Sequence, residues 1–295
     1  MKKVGVFLGI TFTITWILSF GLMFNGGYSN PNTVIVLSIC MLVPAISVII
    51  TTIITKGSFK NDIWIKPNLK GNIKYYLIAW FGPALLIVFG AIIYYLIFPN
   101  QFDGSMTNII NTTKEQLVAK GQNVLSDNQI KSMLISQVFI GILLAPILNF
   151  ITCLGEELGW RGFLLPNLCK KYSPLTATII TGVIWGIWHA PMIAMGHNYG
   201  LNYKGAPWGG IFAMILFCTF VGAFLSYITI KVKSSVPAIL AHGMINGLAS
   251  VSIMFLAVPT VNSFIGPLPV GIVGGFGFVL AGGYCLFKIY KLKEE

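Results

Sequence analysis

Eight apolar stretches, each close to the ~20 residues an α-helix needs to cross a bilayer, follow one another along this chain. They run Val4–Met23, Val34–Thr55, Tyr75–Phe98, Met133–Leu154, Leu175–Met195, Trp208–Ile230, Val236–Val258 and Val270–Phe287. A bilayer core offers no water to peptide groups, so segments of this length must pair their backbones internally as helices. The expected fold class is all-α, a polytopic membrane protein of about eight transmembrane helices around an intramembrane polar cavity. Composition agrees: 56% of residues are hydrophobic and 9% charged, where a soluble domain carries about 25% charged.

The formal charge of +11 has to be read against topology before any anionic partner is invoked. With the N-terminus in the cytoplasm, fifteen cations fall inside: Lys2, Lys3, Lys56, Lys60, Lys66, Lys70, Lys74, Arg161, Lys170, Lys171, Lys231, Lys233, Lys288, Lys291 and Lys293. Four fall outside: Lys114, Lys120, Lys131 and Lys204. Cytoplasmic loops collect lysine and arginine, so the asymmetry accounts for the basic balance without nucleic acid and puts both termini in the cytoplasm. The first stretch starts directly after Lys2 and Lys3 and lacks a clear small-residue cleavage site, which marks an anchor in preference to a removed signal peptide. The five cysteines form no CxxC pair, so neither a disulfide framework nor a thiolate zinc site is indicated. Residues 99–132 are the long polar connection, read as a solvated external loop with a short surface helix near Glu115–Val124. No internal repeat supports an inverted-repeat transporter.

Chemistry is concentrated in ITCLGEELGWRGFLLPNLCKK, residues 151–171. Glu156 and Glu157 lie within an apolar run, and a carboxylate there normally has a partner or a function. Glu157 and Arg161 stand at i and i+4, so they can pair on one helix face. Glu156 lies about 100° away around the helix and lacks that local partner, which suits it to general base work. For the depths of Glu156 and His189 to agree, the fourth helix should continue through Arg161 towards Leu168.

Two of the three histidines, His189 and His242, fall inside expected spans; His197 reads as an ordinary residue of an outer turn. Asn246 follows His242 by four residues and shares its helix face, with Ser250 continuing the stripe. Thr178, Thr181, Trp185 and His189 form a second polar stripe; Asn149, Thr152 and Glu156 form a third. Three helices with one polar face each would enclose a hydrated cavity. HExxH is absent, which excludes a zincin.

On these residues the chain resembles the CAAX-protease and bacteriocin-processing (CPBP, or Abi) family of intramembrane proteases, which includes the type II CAAX prenyl endopeptidases. The motif Glu-Glu-x-x-x-Arg is matched by Glu156, Glu157 and Arg161. Phe-x-x-x-His is matched by Trp185 and His189, with tryptophan in place of phenylalanine, and His-x-x-x-Asn by His242 and Asn246. The resemblance covers about Met133 to Leu256 and implies an eight-helix fold. It divides the chain into helices 1–3 with the external loop (1–132), a catalytic core of helices 4–7 (133–258), and the last helix with its tail (259–295).

The resemblance implies an endopeptidase, and the Ile-, Lys- and Asn-rich usage of this multi-pass chain points to a bacterial cell membrane. Its substrate would be a membrane-associated peptide or protein, of CAAX type or a bacteriocin or peptide signal. Glu156 with His189 would activate water, His242 and Asn246 would stabilise the oxyanion, and Glu157 with Arg161 would give structural support. Metal dependence stays open: a zinc ion would take Glu156, His189 and His242, but Asn246 is a poor zinc ligand. A non-enzymatic scaffold or bacteriocin-immunity factor that keeps the fold is the alternative.

Overall fold

The structure, a computed structural model, describes residues 1–259 and 261–292; Lys293 and the two terminal glutamates lie outside them. All the expected apolar stretches contain helix, and among the described residues there is no strand. The long helices are α1 (Lys2–Phe24), α2 (Thr33–Ile54), α3 (Ile73–Ile97), α4 (Asp127–Leu148), α5 (Phe150–Glu157), α6 (Pro174–Trp188), α7 (Trp208–Val232), α8 (Val236–Leu248) and α9 (Phe276–Lys291). Six helical segments are long and apolar enough to cross a membrane, counting α8 with the 3₁₀ turn that extends it to Phe255. The chain is a polytopic membrane protein whose α6 and α9 are shorter than the other spans.

Local sequence explains where the helices start and stop. Ser126 and Gln129 form a capping box at the start of α4, satisfying N–H groups that would otherwise lack partners. The expected fifth span does not run unbroken to Met195. It stops at Trp188, and a short helix Ala190–Ala194 follows, because Pro191 has no N–H to give and crowds the preceding turn. In the 99–132 connection the helix covers Thr107–Ala119, earlier than the Glu115–Val124 patch suggested.

Two faces can be told apart by contacts. On the lysine-rich face the buried Asp62 carboxylate accepts from Lys3 Nζ at 2.6 Å and Lys170 Nζ at 2.8 Å, and from the Ser58 N–H at 2.9 Å. Burial alone would push this carboxyl up, but the two ammonium groups and the backbone donor outweigh it and hold it well below the usual carboxylate range. Next to it the Trp64 N–H donates to the Gly162 carbonyl, and the Trp64 carbonyl accepts from the Ser235 N–H, both at 2.8 Å. Ser173–Leu175 meet Ile289 and Tyr290, which places the end of α9 on this face. On the opposite face the Tyr199 hydroxyl donates to the Val270 carbonyl at 3.0 Å, and the Ala257 N–H to the Gln101 carbonyl at 2.9 Å.

The core packs backbone against backbone. A Cβ at Gly155 would lie 2.4 Å from the Met41 carbonyl on α2, and one at Gly186 would lie 2.4 Å from the Cα of Ile215 on α7. Small residues at such crossings let membrane helices approach closely where no hydrophobic effect drives them together.

Candidate active site

The site grows from a break in the fourth span. Pro146 and Asn149 end α4 at Leu148, and the Asn149 amide donates to the Ala145 carbonyl (3.0 Å) and the Gly243 carbonyl on α8 (3.3 Å). The chain continues as α5 and then as a π-helical stretch, Leu158–Leu164, before a last short helix Leu165–Cys169. The helix thus extends through Arg161 towards Leu168, as expected, but its register is wound wider at the arginine. π-helical turns recur at functional sites because they re-aim side chains.

Glu157 and Arg161 are both fully buried and joined by Arg161 Nη1 to Glu157 Oε1 at 3.0 Å. The guanidinium lies over the Trp185 ring, 4.2 Å from its centroid, a favourable cation–π placement. Arg161 is thus a buried partner of Glu157, as their spacing led to expect, and not a solvated surface cation. The same Glu157 oxygen accepts from His242 Nδ1 at 2.9 Å, so this glutamate binds α8 to α5 and the π-helical stretch.

Glu156 is 3% exposed and, although it has no partner on its own helix, it is not alone: Trp185 Nε1 donates to its Oε2 at 2.8 Å. His189 sits in the break between α6 and the helix Ala190–Ala194, its Nδ1 2.9 Å from the Trp185 carbonyl. A carbonyl oxygen only accepts, so Nδ1 carries the proton and Nε2 keeps a lone pair. Asn246 is exposed on α8, with its amide 3.7 Å from Cys153 Sγ.

One cavity of about 180 Å³ is lined by Glu156, Trp185, His189, His242 and Asn246 together. The three polar stripes contribute unequally. Thr178 and Thr181 are buried away from it, Thr181 donating to the Ala177 carbonyl, and Asn149 and Thr152 satisfy backbone carbonyls. His197 lines the cavity too and bonds to the Tyr28 hydroxyl, so it is more than an ordinary turn residue. Trp185, expected on one helix face with His189, also bonds to Glu156, a contact that the sequence did not reveal. Its place one helical turn before His189 was the signal that it faces the same space.

Among the described residues, no three His, Cys, Asp or Glu side chains converge to hold a metal ion. Glu156 Oε2, His189 Nδ1 and His242 Nδ1 are bonded to Trp185 Nε1, the Trp185 carbonyl and Glu157 Oε1. As arranged, Glu156, His189 and His242 do not come together as one zinc ligand set.

Residues 131–248 match the family model described as type II CAAX prenyl endopeptidase Rce1-like. Residues 131–248 form an Rce1-like segment. A stretch of 93 residues is 33% identical to "CAAX prenyl protease 2" of Methanococcus maripaludis, covering 31% of this chain and 34% of that protein. The chain thus spans about a third of the length of this curated relative. The Rce1-like segment contains all seven residues of the three motifs and ends at Leu248, the last residue of α8.

Proposed function

We propose that the protein is an intramembrane endopeptidase hydrolysing a peptide bond in a membrane-associated protein or peptide. The observation that carries this reading is the convergence of Glu156, His189, His242 and Asn246 on one cavity. Supporting it are the Rce1-like segment and the name of the relative.

In this reading a water molecule lies between Glu156 and His189. Glu156, one oxygen held by Trp185, takes the water proton as the oxygen attacks the scissile carbonyl. His189, with Nε2 unprotonated, orients the water and relays the proton to the leaving amine. His242 donates from Nε2 to the oxyanion as an imidazolium, with Glu157 as counter-ion to both it and Arg161. Asn246 supplies the second donor after releasing Cys153. Fixed donors aimed at developing charge inside a low-dielectric site are worth a few kcal/mol.

The test is cleavage of a library of membrane-tethered peptides, with and without prenyl groups, by purified protein, with products read by mass spectrometry. Cleavage should fall by at least ~100-fold in Glu156→Gln and His189→Ala, the scale of general base catalysis. Asn246→Ala should cost a similar factor. Full biological activity retained by Glu156→Gln and His189→Ala in cells would replace proteolysis with the scaffold reading.

A further inference from the structure

The cavity has a direction. From α2 it takes Leu37 and Met41, which at ~1.5 Å per residue lie about 6 and 12 Å from that helix's start at Thr33. From α7 it takes Met214 and Phe217, close to the start at Trp208, and from α8 Asn246 and Ala249, at the end remote from Ser235. His197, Asn198, Pro269 and Val270 complete the rim from connecting segments. None of the lining residues comes from the connections around Asp62, Trp64, Lys170 or Ser235. The deep end holds Glu156 and His242, and the mouth lies towards the face where Tyr199 meets Val270.

That face carries Lys114, Lys120, Lys131 and Lys204, whereas thirteen described lysines gather on the opposite one: Lys2, Lys3, Lys56, Lys60, Lys66, Lys70, Lys74, Lys170, Lys171, Lys231, Lys233, Lys288 and Lys291. The burial of Arg161 takes one cation out of the inside tally and leaves the bias intact. Since the lysine-rich face of a multi-pass protein is the cytoplasmic one, the mouth faces away from the cytoplasm. At its rim Tyr28 and His197 stack with their rings 11° from parallel and their centroids 5.8 Å apart, joining the α1–α2 turn to the turn after Ala194.

We propose that the site takes its substrate from the non-cytoplasmic face, as an apolar segment of an exported, membrane-tethered peptide. This rests on the proteolytic reading and adds the side of entry and the character of the peptide. Leu37, Met41, Met214, Phe217 and Val270 form an apolar wall, and apart from the histidines Glu156 is the sole ionisable carboxylate or base on it. A segment bearing charge would have to desolvate it without a partner there.

Two measurements on the full chain decide the matter. Cys169 is the one native thiol that is not buried, so a Cys169→Ser parent is used. In intact cells a membrane-impermeant maleimide should label Leu201→Cys, in the exposed turn beside the mouth, and leave Asn61→Cys, on the lysine-rich face, unlabelled. In proteoliposomes whose orientation has been read by the same labelling, an apolar tethered peptide should be cut when it is presented on the Leu201 face. Cleavage should be lost when the peptide is confined to the Asn61 face, and lost on both faces in Glu156→Gln. Labelling of Asn61→Cys from outside, or cleavage restricted to peptide on the Asn61 face, overturns the proposal and leaves proteolysis standing. Absence of cleavage in every arrangement, including detergent, removes proteolysis and the substrate claim with it, while the labelling still fixes where the mouth lies.

Discussion

Trp185 donates its Nε1–H to Glu156 at 2.8 Å while its ring lies 4.2 Å under the Arg161 guanidinium. One side chain of α6 thus touches both the glutamate proposed as base and the arginine paired with Glu157, whose carboxylate also bonds to His242 on α8.

These two contacts can be separated by substitution. Trp185→Phe keeps a ring beneath Arg161 and removes the donor. A hydrogen bond to a charged group contributes about 1.5–3 kcal/mol, so cleavage should fall roughly tenfold or more with abundance nearly unchanged. Activity should persist in part, since phenylalanine is the residue of the motif this position resembles. Trp185→Ala removes the ring as well and should lower abundance in the membrane fraction. Equal loss of abundance in the two variants would assign Trp185 to packing alone.

Arg161→Ala should destabilise the protein by about 3 kcal/mol, the low end of the cost of breaking a buried pair, because it leaves the fully buried Glu157 with only His242 as partner. Glu156→Gln should unfold close to the wild-type temperature and lose cleavage. Thermal unfolding in detergent compares them, and a Glu156→Gln protein as unstable as Arg161→Ala would refute the division of roles.

The Asp62 carboxyl is held below its ordinary value by Lys170 and Lys3, so the folded state binds its proton more weakly than the unfolded chain does. Its contribution to stability is present above about pH 4, the unfolded value, and is lost as the pH falls further. Acid unfolding of the wild type should therefore steepen below pH 4, and Asp62→Asn should flatten that region while lowering stability at pH 7. An unchanged acid limb in Asp62→Asn would show that the cluster with Lys3 and Lys170 contributes nothing.

Because Glu156, His189 and His242 do not converge as one ligand set, prolonged dialysis against a chelator should leave cleavage unchanged. Loss of cleavage that added zinc restores would mean that these side chains rearrange around an ion.

The sequence made legible what is local. Glu157 and Arg161 are four residues apart, and their pairing followed from helix geometry even though the helix widens into a π turn there. The apolar stretches followed from length and hydropathy. Contacts between distant parts of the chain left no such trace: Glu156 and Trp185 are 29 residues apart, Glu157 and His242 85, and Tyr28 and His197 169. Pro191 was a visible breaker whose effect on the fifth span was masked by continuous hydropathy. Charge counting carries no depth: it tallied Arg161 with the loop lysines, and the packing of Glu157 and Trp185 around it shows how deeply it is buried.

The two bonds of Trp64 to Gly162 and Ser235 set a limit on modularity. The Rce1-like segment begins at residue 131, yet the carbonyl of Gly162 in its π-helical stretch and the N–H of Ser235 before α8 are both satisfied from residue 64. The glutamate turn also rests on Met41 through Gly155. Residues 131–248 are therefore not a cassette that could be moved alone into another membrane scaffold. A host would have to supply a strand-like tether in the place of Trp64 and a helix as close as α2, which makes the N-terminal third of the chain part of the same working unit.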